Sequence, residues 1–372
     1  MKCLLLTTYP YEEPCARVRF LLLKNELNKH DVNLIHHSIF SKWLFTNKNV
    51  KGKRIRKTIY LLWGLKLRLL TILFVAPFVK VVIIQKEGFP IGKDWIEKFI
   101  KLVNKNVVLD FDDAVYTFPE HLKDWRPLKG EDKLGNLIEM SKLTLVGSKH
   151  LKNYADKYSK NTCLYFDSVN VDEYPTKYHE QKNQYVIGWI GSEPGLKYLE
   201  IIKPALDELS KEIKFTFHII GPKSTPQDIL GNVKTKIIPW SKENEIEELL
   251  KFDIGVMPLH DNEWERGKSG FKLVQYMAAG VPFVASPVGM NIDFARNDTG
   301  ILADKKEEWV QAFKKLLESK NLRNEIGKKG REYAMQNNDI KANAKYLAYL
   351  LKNLNNPKLT ADLTRIKHYS IM

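Results

Sequence analysis

The chain has 372 residues, 44% of them apolar, with 59 Lys and Arg against 44 Asp and Glu, a formal net charge of +15. That length and composition suit about two globular domains and exclude a disordered, collagen-like or disulfide-stapled chain. Three cysteines (Cys3, Cys15 and Cys163) provide neither a disulfide framework nor zinc or haem spacing, and they fit a reducing cytoplasm.

In chain order, KCLLLTT (2–8) is a short apolar run closed by Tyr-Pro and reads as a buried first strand. The apolar run is short and lacks a small-residue cleavage site, so it does not read as a signal peptide. Residues 16–28 have helical spacing, and DVNLIHHSI (31–39) is a second strand. Residues 41–80 then carry ten basic side chains and no acidic one, interleaved with Trp43, Phe45, Tyr60, Trp63 and a run of leucines. Lys66 and Arg68 interrupt the apolar stretch short of the ~18 residues expected of a membrane span. A basic, aromatic-bearing segment of this kind suits an anionic membrane surface; a core helix with a basic outer face is the alternative. Nucleic acid is not expected, because no helix-turn-helix, zinc-finger or RNA-binding signature accompanies the charge.

KVVIIQKEG (80–88) is a third strand, DWIEKFIKLV (94–103) a helix, and NVVLDFDD (106–113) and LTLVGS (143–148) further strands. HLKNYADKY (150–158) is a helix with Ser148 as N-cap. After a polar linker, placed at 166–183, the alternation restarts with strands at 185–192, 215–222, 234–239, 253–259 and 281–286. Helices are expected at 196–212, 244–252 and 270–280, and from Glu307 to about Asn353. Strands alternating with helices imply two doubly wound parallel sheets (domains 1–165 and 184–340), with residues 341–372 returning to the first. Ligands are then expected at the carboxyl ends of the strands, in a cleft between the two domains.

The most informative passage is DIGVMPLHDNEWERGKSGFKLVQYMAAGVPFVASPVGMN (253–292). A strand ends near Leu259, a charged loop follows, and Ser269-Gly270 opens a helix. Helix N-termini favour phosphate, whereas cations normally avoid them. Arg266, Lys268 and Lys272 clustered there therefore point to a bound anion, best a diphosphate; a solvated charged loop is the bland alternative. Glu265 and Gln275 can meet sugar hydroxyls.

This passage resembles the donor-binding module of glycosyltransferase family 4, retaining enzymes of the GT-B fold. IGWIGSEPGLKYLE (187–200) resembles the loop that opens the donor domain, and VGSKHLKNYADKY (146–158) with VNVDEY (169–174) resembles the end of the acceptor domain. Residues 298–333, with their LR…G..GR pattern, resemble the family's C-terminal helices. The resemblance implies transfer of a glycosyl group from a UDP- or GDP-sugar to a glycan or lipid-linked acceptor, with retention and without an essential metal or other cofactor. It places Lys197 and Ser192 near the diphosphate, Gly191 where backbone approaches it closely, and Lys268 and Arg266 opposite. Gly221, Pro222 and Lys223 fall near base or ribose, and Gly270, Phe271, Lys272 and Gln275 complete the donor set.

The chain departs from the family's usual pair of glutamates, which fall here at Gly267 and Gln275, and from its usual Arg, which falls at Ser192. Glu265, Arg266 and Lys268 are expected to take over part of that work. In the first domain Asp110, Asp112 and Asp113 end a strand beside Gln85, Lys86 and Glu87, which suits acceptor binding; a metal site or a structural role are the other readings. His150 is read as a surface residue and His260 as a weak site candidate. The combined expectation is a cytoplasmic transferase peripheral on the inner face of the membrane. A sugar-nucleotide epimerase of the same fold and a decayed membrane scaffold are the alternatives.

Overall fold

A computed structural model of the chain describes residues 1–356 apart from 49, 91, 118–132, 222, 223 and 227. The chain divides into two units: Met1–Ser168 with Gly267–Ser269 and Ile340–Met372, and Val169–Arg266 with Gly270–Asp339.

The first unit holds β1 (Lys2–Thr7), β2 (Asn33–Ser38), β3 (Val81–Gln85), β4 (Val107–Phe111), β5 (Leu143–Val146) and β6 (Thr162–Leu164). They form one parallel sheet in the order β2-β1-β3-β4-β5-β6. Strands β1, β3, β4 and β5 carry buried, mostly apolar runs, as a sheet covered on both faces requires, whereas the edge strand β2 (NLIHHS) is mixed and only partly buried. Its helices are α1 (Lys24–Lys29), α2 (Lys42–Thr46), α3 (Arg54–Phe74), α4 (Trp95–Val103), α5 (Lys133–Met140) and α6 (Lys149–Ala155). The second unit repeats the plan with β7 (Tyr185–Ile190), β8 (Phe215–Gly221), β9 (Thr235–Pro239), β10 (Ile254–Met257), β11 (Phe283–Ala285) and β12 (Gly300–Leu302). The order is β12-β11-β10-β7-β8-β9, again all parallel. Its helices are α7 (Leu199–Leu209), α8 (Glu245–Leu250), α9 (Glu263–Arg266), α10 (Phe271–Ala278), α11 (Met290–Ala295), α12 (Lys306–Glu318) and α13 (Lys320–Asn337). Finally α14 (Ile340–Lys352) belongs to the first unit, where Ala344, Leu347 and Leu351 share a core with Cys3, Leu5, Phe20 and Val108.

Several elements differ from the sequence expectation. The helix expected over 16–28 is broken: Pro14–Ala16 runs into a π-helical turn at Arg17–Leu21 before α1 begins. That wider turn carries Arg19 into the buried interior, where its guanidinium finds two carboxylates. Strands β6 and β12 and helices α5 and α11 are short elements that periodicity did not mark, and the helical stretch after Glu307 is three helices. The polar segment read as a linker is not a free tether beyond Val169. His179 Nε2 lies 3.0 Å from the Gly280 carbonyl, and the Glu180 carbonyl accepts from Arg323 at 2.7 Å. All three cysteines are buried, and burial pushes the Cys3 and Cys163 thiols up to about 12.

Arg68 of α3 is fully buried and ties that helix to three strand ends. It donates to the Thr7 carbonyl, to the Gly88 carbonyl at 2.7 Å and to His37 Nδ1 at 3.0 Å. His37 must therefore be neutral at Nδ1. Burial and the nearby Arg68 charge depress both His36 and His37 to about 4 from an ordinary 6.5. The unfolded chain thus binds protons that the folded chain refuses, and stability is lost as pH falls from about 6.5 towards 4. Each histidine can account for roughly 2–3 kcal/mol at the acid end. Thermal melts across this range should show that loss, and a His36→Gln, His37→Gln double variant should flatten it; an unchanged slope would remove these residues as its source.

Candidate functional site

In the second unit the strand carboxyl ends converge on Gly191, Gly221 and the N-terminus of α10. Trp189, fully buried on β7, turns its ring under the loop that follows. A Cβ at Gly191 would overlap that ring and lie 2.8 Å from Lys272 Nζ. Lys272 Nζ itself stands 4.2 Å from the centroid of the Trp189 ring. Gly221, at the end of β8, is equally tight: a Cβ there would come within 3.0 Å of the Gly191 carbonyl oxygen. Two neighbouring strands therefore bring bare backbone up to one lysine in the first turn of α10. Gly270, which caps that helix, has φ 75°, a left-handed conformation that glycine adopts without strain. The same helix leaves first-turn N–H groups without intrahelical acceptors, the arrangement that binds phosphate.

One turn along α10, the buried Gln275 donates its amide to Glu245 Oε1 at 2.9 Å. Glu245 begins α8, and its other oxygen accepts from the Trp240 indole at 2.5 Å. Trp240 follows β9, is exposed, and donates its backbone N–H to the Gly221 carbonyl at 3.0 Å. A carboxylate, an amide and an indole thus line the flank beside Gly221. On the opposite flank Glu265 is buried and accepts a hydrogen bond from the Tyr198 phenol. Burial and that carboxylate push the phenol above its usual range. The His260 ring stands 5.8 Å from the Tyr198 ring.

In the first unit, the ends of β3 and β4 carry a charge network. Arg19, Asp110 and Asp167 are all essentially buried, with Arg19 2.5 Å from Asp110 and 3.1 Å from Asp167. Gln85 donates to Asp110 at 3.3 Å. Desolvation raises Asp110 despite Arg19, and it raises Asp167 to about 6. Lys86 has φ 62°, a conformation uncommon outside glycine, and this places its ammonium 3.0 Å from Asp112 and 2.7 Å from Asp113. Desolvation is the largest influence at Asp112 and opposes its charge, but Lys86, Arg19 and hydrogen bonds from Cys15 and Lys86 together hold the carboxyl below its usual range. The same two carboxylates hold the Lys86 ammonium well above its ordinary value against desolvation. The DFDD run is therefore met by the chain's own cations. Among the described residues no group of three or more His, Cys, Asp or Glu side chains is arranged to hold a metal ion.

Of the residues singled out in the sequence, the structure brings Gly191, Gly221, Gly270, Phe271, Lys272 and Gln275 together on one edge of the second sheet. Ser192 and Lys197 lie on an exposed 3-10 turn after β7, with Lys197 Nζ 5.1 Å from the Tyr198 ring centroid. Arg266 is exposed and paired with Asp261 at 2.6 Å. Lys268 sits in the tripeptide Gly267–Ser269, which groups with the first unit, where the Gly267 carbonyl accepts from Ser148 and Ser269 donates to Asp167. Pro222 and Lys223 lie outside the described residues. Gln85, Lys86, Asp112 and Asp113 share one edge of the first sheet, with Glu87 half-buried beside them. Glu245, Trp240, Trp189 and Arg19 were not singled out. The Trp-x-Gly of IGWIGS was the one available signal, since a glycine two residues after a strand tryptophan clears its ring.

Residues 170–333 match the family model of glycosyl transferases group 1. No curated protein matches the chain by sequence. Among solved structures it is similar to a glycosyltransferase from Rickettsia africae (TM-score 0.71, 13% identity, covering 96% of this chain and 99% of that one). It is also similar to sucrose-phosphate synthase from Thermosynechococcus elongatus (0.68, 13%, 95% and 99%). A third similar structure is HepE of Anabaena in complex with UDP (0.69, 14%, 95% and 100%). These likenesses establish the fold: the two units are the paired Rossmann-like domains of the GT-B class.

Proposed function

We propose that this chain is a glycosyltransferase that moves a sugar from a nucleotide-sugar to a glycan or lipid-linked acceptor with retention of configuration. The observation that carries the reading is Lys272 Nζ standing over Gly191 at the N-terminus of α10, on the region that matches the glycosyl transferase model. In the step proposed, the bond between the anomeric carbon and the diphosphate oxygen breaks and its electron pair leaves on that oxygen. The acceptor hydroxyl oxygen bonds to the same carbon, and its proton departs with the diphosphate. A cation and helix N–H groups fixed in advance stabilise the charge that develops, and such preorganised donors are a large part of catalysis. Lys272 is assigned this role from geometry; Lys197, Arg266 and Lys268 are assigned to the same diphosphate from the sequence pattern. Glu245, held by Gln275 and Trp240, supplies the carboxylate for nucleoside hydroxyls that Gln275 alone lacks. Gln85, Lys86, Glu87, Asp112 and Asp113 are assigned to the acceptor. The basic stretch 41–80 supports a cytoplasmic protein peripheral on an anionic inner leaflet, where a lipid-linked acceptor is presented.

The test is thermal stabilisation by UDP, GDP, ADP and CMP and their sugar conjugates. A nucleotide at 100 times its Kd adds about 2.7 kcal/mol. One nucleoside diphosphate should shift the melt, and Glu245→Ala should remove most of that shift, measured from the variant's own unliganded midpoint. No shift with any nucleotide sinks the reading and favours a decayed scaffold. Turnover of the sugar conjugate without an acceptor favours the epimerase.

A further inference from the structure

Helix α3 is amphipathic in the unusual sense. Its inward face carries Gly64, Arg68 and Ile72, all buried, whereas its outward face carries Ile55, Ile59, Leu62, Leu69 and Leu73, all exposed. Lys66 is the one charge on that outward stripe between Ile59 and Leu73. The tilt of the pattern is fixed, because a Cβ at Gly64 would overlap the Ile39 carbonyl and Arg68 is bonded to three strand ends. Residues 54–78 are long and apolar enough to cross a membrane by length and composition. Crossing would strip Arg68 of those partners, and an unpaired buried guanidinium is far costlier than the bonds it makes.

The next helix repeats the inversion. The crossovers from β2 to β3 and from β3 to β4 lead in the same direction across the sheet, so right-handed connections put α3 and α4 side by side on one face. Glu97 of α4 accepts from the Gly88 N–H while Arg68 of α3 donates to the Gly88 carbonyl, which fixes the two helices as neighbours. Outward from α4 stand Trp95, Phe99 and Leu102, the last 77% exposed. Phe78, 81% exposed, stands between the two helices' ends, where Asn104 binds the Ala76 and Val79 carbonyls. The apolar outward stripes of two adjacent helices are thus continuous through Phe78. Cations border this surface: Lys51, Lys53, Arg54, Arg56 and Lys57 gather at the start of α3, with no acidic residue from 41 to 80.

The helix also points somewhere. At about 1.5 Å per residue α3 is roughly 31 Å long, against roughly 20 Å for a six-residue strand. Arg68 is anchored at the carboxyl ends of β1 and β3, and the helix joins β3 at its amino end. Gly64 lies against Ile39, the residue after β2, so the stretch of α3 before Gly64 extends past the strand carboxyl ends, the edge that carries Lys86, Asp112 and Asp113.

We propose that the outward faces of α3 and α4 form one apolar surface that inserts in-plane into a single leaflet of an anionic bilayer, with the basic start of α3 on its headgroups. This deepens the membrane placement above and rests on it. An inserted surface differs from an adsorbed one in its response to salt. Raising ionic strength from about 0.1 M to about 1 M shrinks the Debye length from ~10 Å to ~3 Å and removes attraction between charges, but leaves burial of apolar side chains intact. Leucine stripes in hydrocarbon hold, whereas lysines on headgroups release.

The experiment is flotation of the full chain with vesicles of phosphatidylcholine alone or with about one-third phosphatidylglycerol, at both salt concentrations. Quenching of tryptophan fluorescence by bromine-labelled acyl chains is measured in the same samples. The expected result is binding to the anionic vesicles, most of it surviving high salt, with quenching that Trp63→Phe and Trp95→Phe together abolish. A Leu62→Ser, Leu73→Ser, Leu102→Ser variant, altered only at exposed positions, should lose at least tenfold of the salt-resistant binding and keep its low-salt binding. Complete release at high salt with no quenching overturns insertion while leaving surface adsorption standing. No binding to either vesicle overturns both, and the nucleotide test of transferase function is untouched. A lipid-free dimer that the triple variant dissociates assigns the surface to a second copy and overturns the proposal.

Discussion

Replacing Lys272 by Met should lower turnover of the nucleotide-sugar by about 10²–10³ while leaving the melting temperature of the unliganded protein nearly unchanged. Methionine keeps an aliphatic stem against the Trp189 ring, which Lys272 Nζ approaches to 4.2 Å, and deletes only the charge. The loss should fall chiefly on kcat, because charge on the diphosphate grows as the sugar leaves and the cation matters most then. Lys272→Ala should cost more, since it also uncovers the indole. The readout is steady-state kinetics with whichever sugar conjugate stabilises the wild type, alongside nucleoside diphosphate affinity by calorimetry. Unchanged turnover in Lys272→Met would remove the residue from the site and return the task to Lys197, Arg266 and Lys268.

The second large effect is on stability. Arg19→Met should destabilise the protein by about 3–5 kcal/mol, because it leaves Asp110 and Asp167 buried without their cation. For a unit of this size each kcal/mol moves the melting midpoint by about 2–4 °C, so a fall of roughly 10 °C is expected. The deficit should be pH-dependent in a definite direction. Without Arg19 both carboxyls are raised further above their unfolded values, so the folded variant takes up protons before the unfolded chain does. Stability missing at neutral pH is then recovered as pH falls through the raised values and lost as pH rises through them. Adding Asp110→Asn should restore part of the loss even at neutral pH. An Arg19→Met protein within 1 kcal/mol of wild type at pH 7 would show that the network contributes nothing net.

Much of this was legible in the residues. β-branched runs such as KVVIIQ and NVVLDF separated by helical spacing specify parallel strands buried on both faces, because only such strands tolerate apolar residues on consecutive positions. The cations before Phe271 point to this helix N-terminus as a candidate anion site, since charge of that sign is otherwise unfavourable there; the structure leaves Lys272 beside Gly191 but pairs Arg266 with Asp261. The short elements β6 and β12 were not legible, because three residues give no periodicity to read and only their neighbours in the sheet make them strands.

The site divides in the same way. Sequence alone determined the alternation of strands and helices, the glycines at strand ends and the excess of cations over 41–80. Each of these depends on neighbours along the chain, through backbone conformation, side-chain period and local charge. Tertiary structure alone decided that Lys272 stands over Gly191, that Glu245 completes the flank beside Gly221, and that Arg19 holds Asp110 across 91 positions of the chain. It also decided which face of α3 is turned outward. A row of leucines with Arg68 among them reads equally well buried or exposed, until the strand ends supply the carbonyls that take the arginine inside and leave the leucines out. Pairings between distant residues are set by where the sheets carry them, and a linear pattern holds no record of that distance.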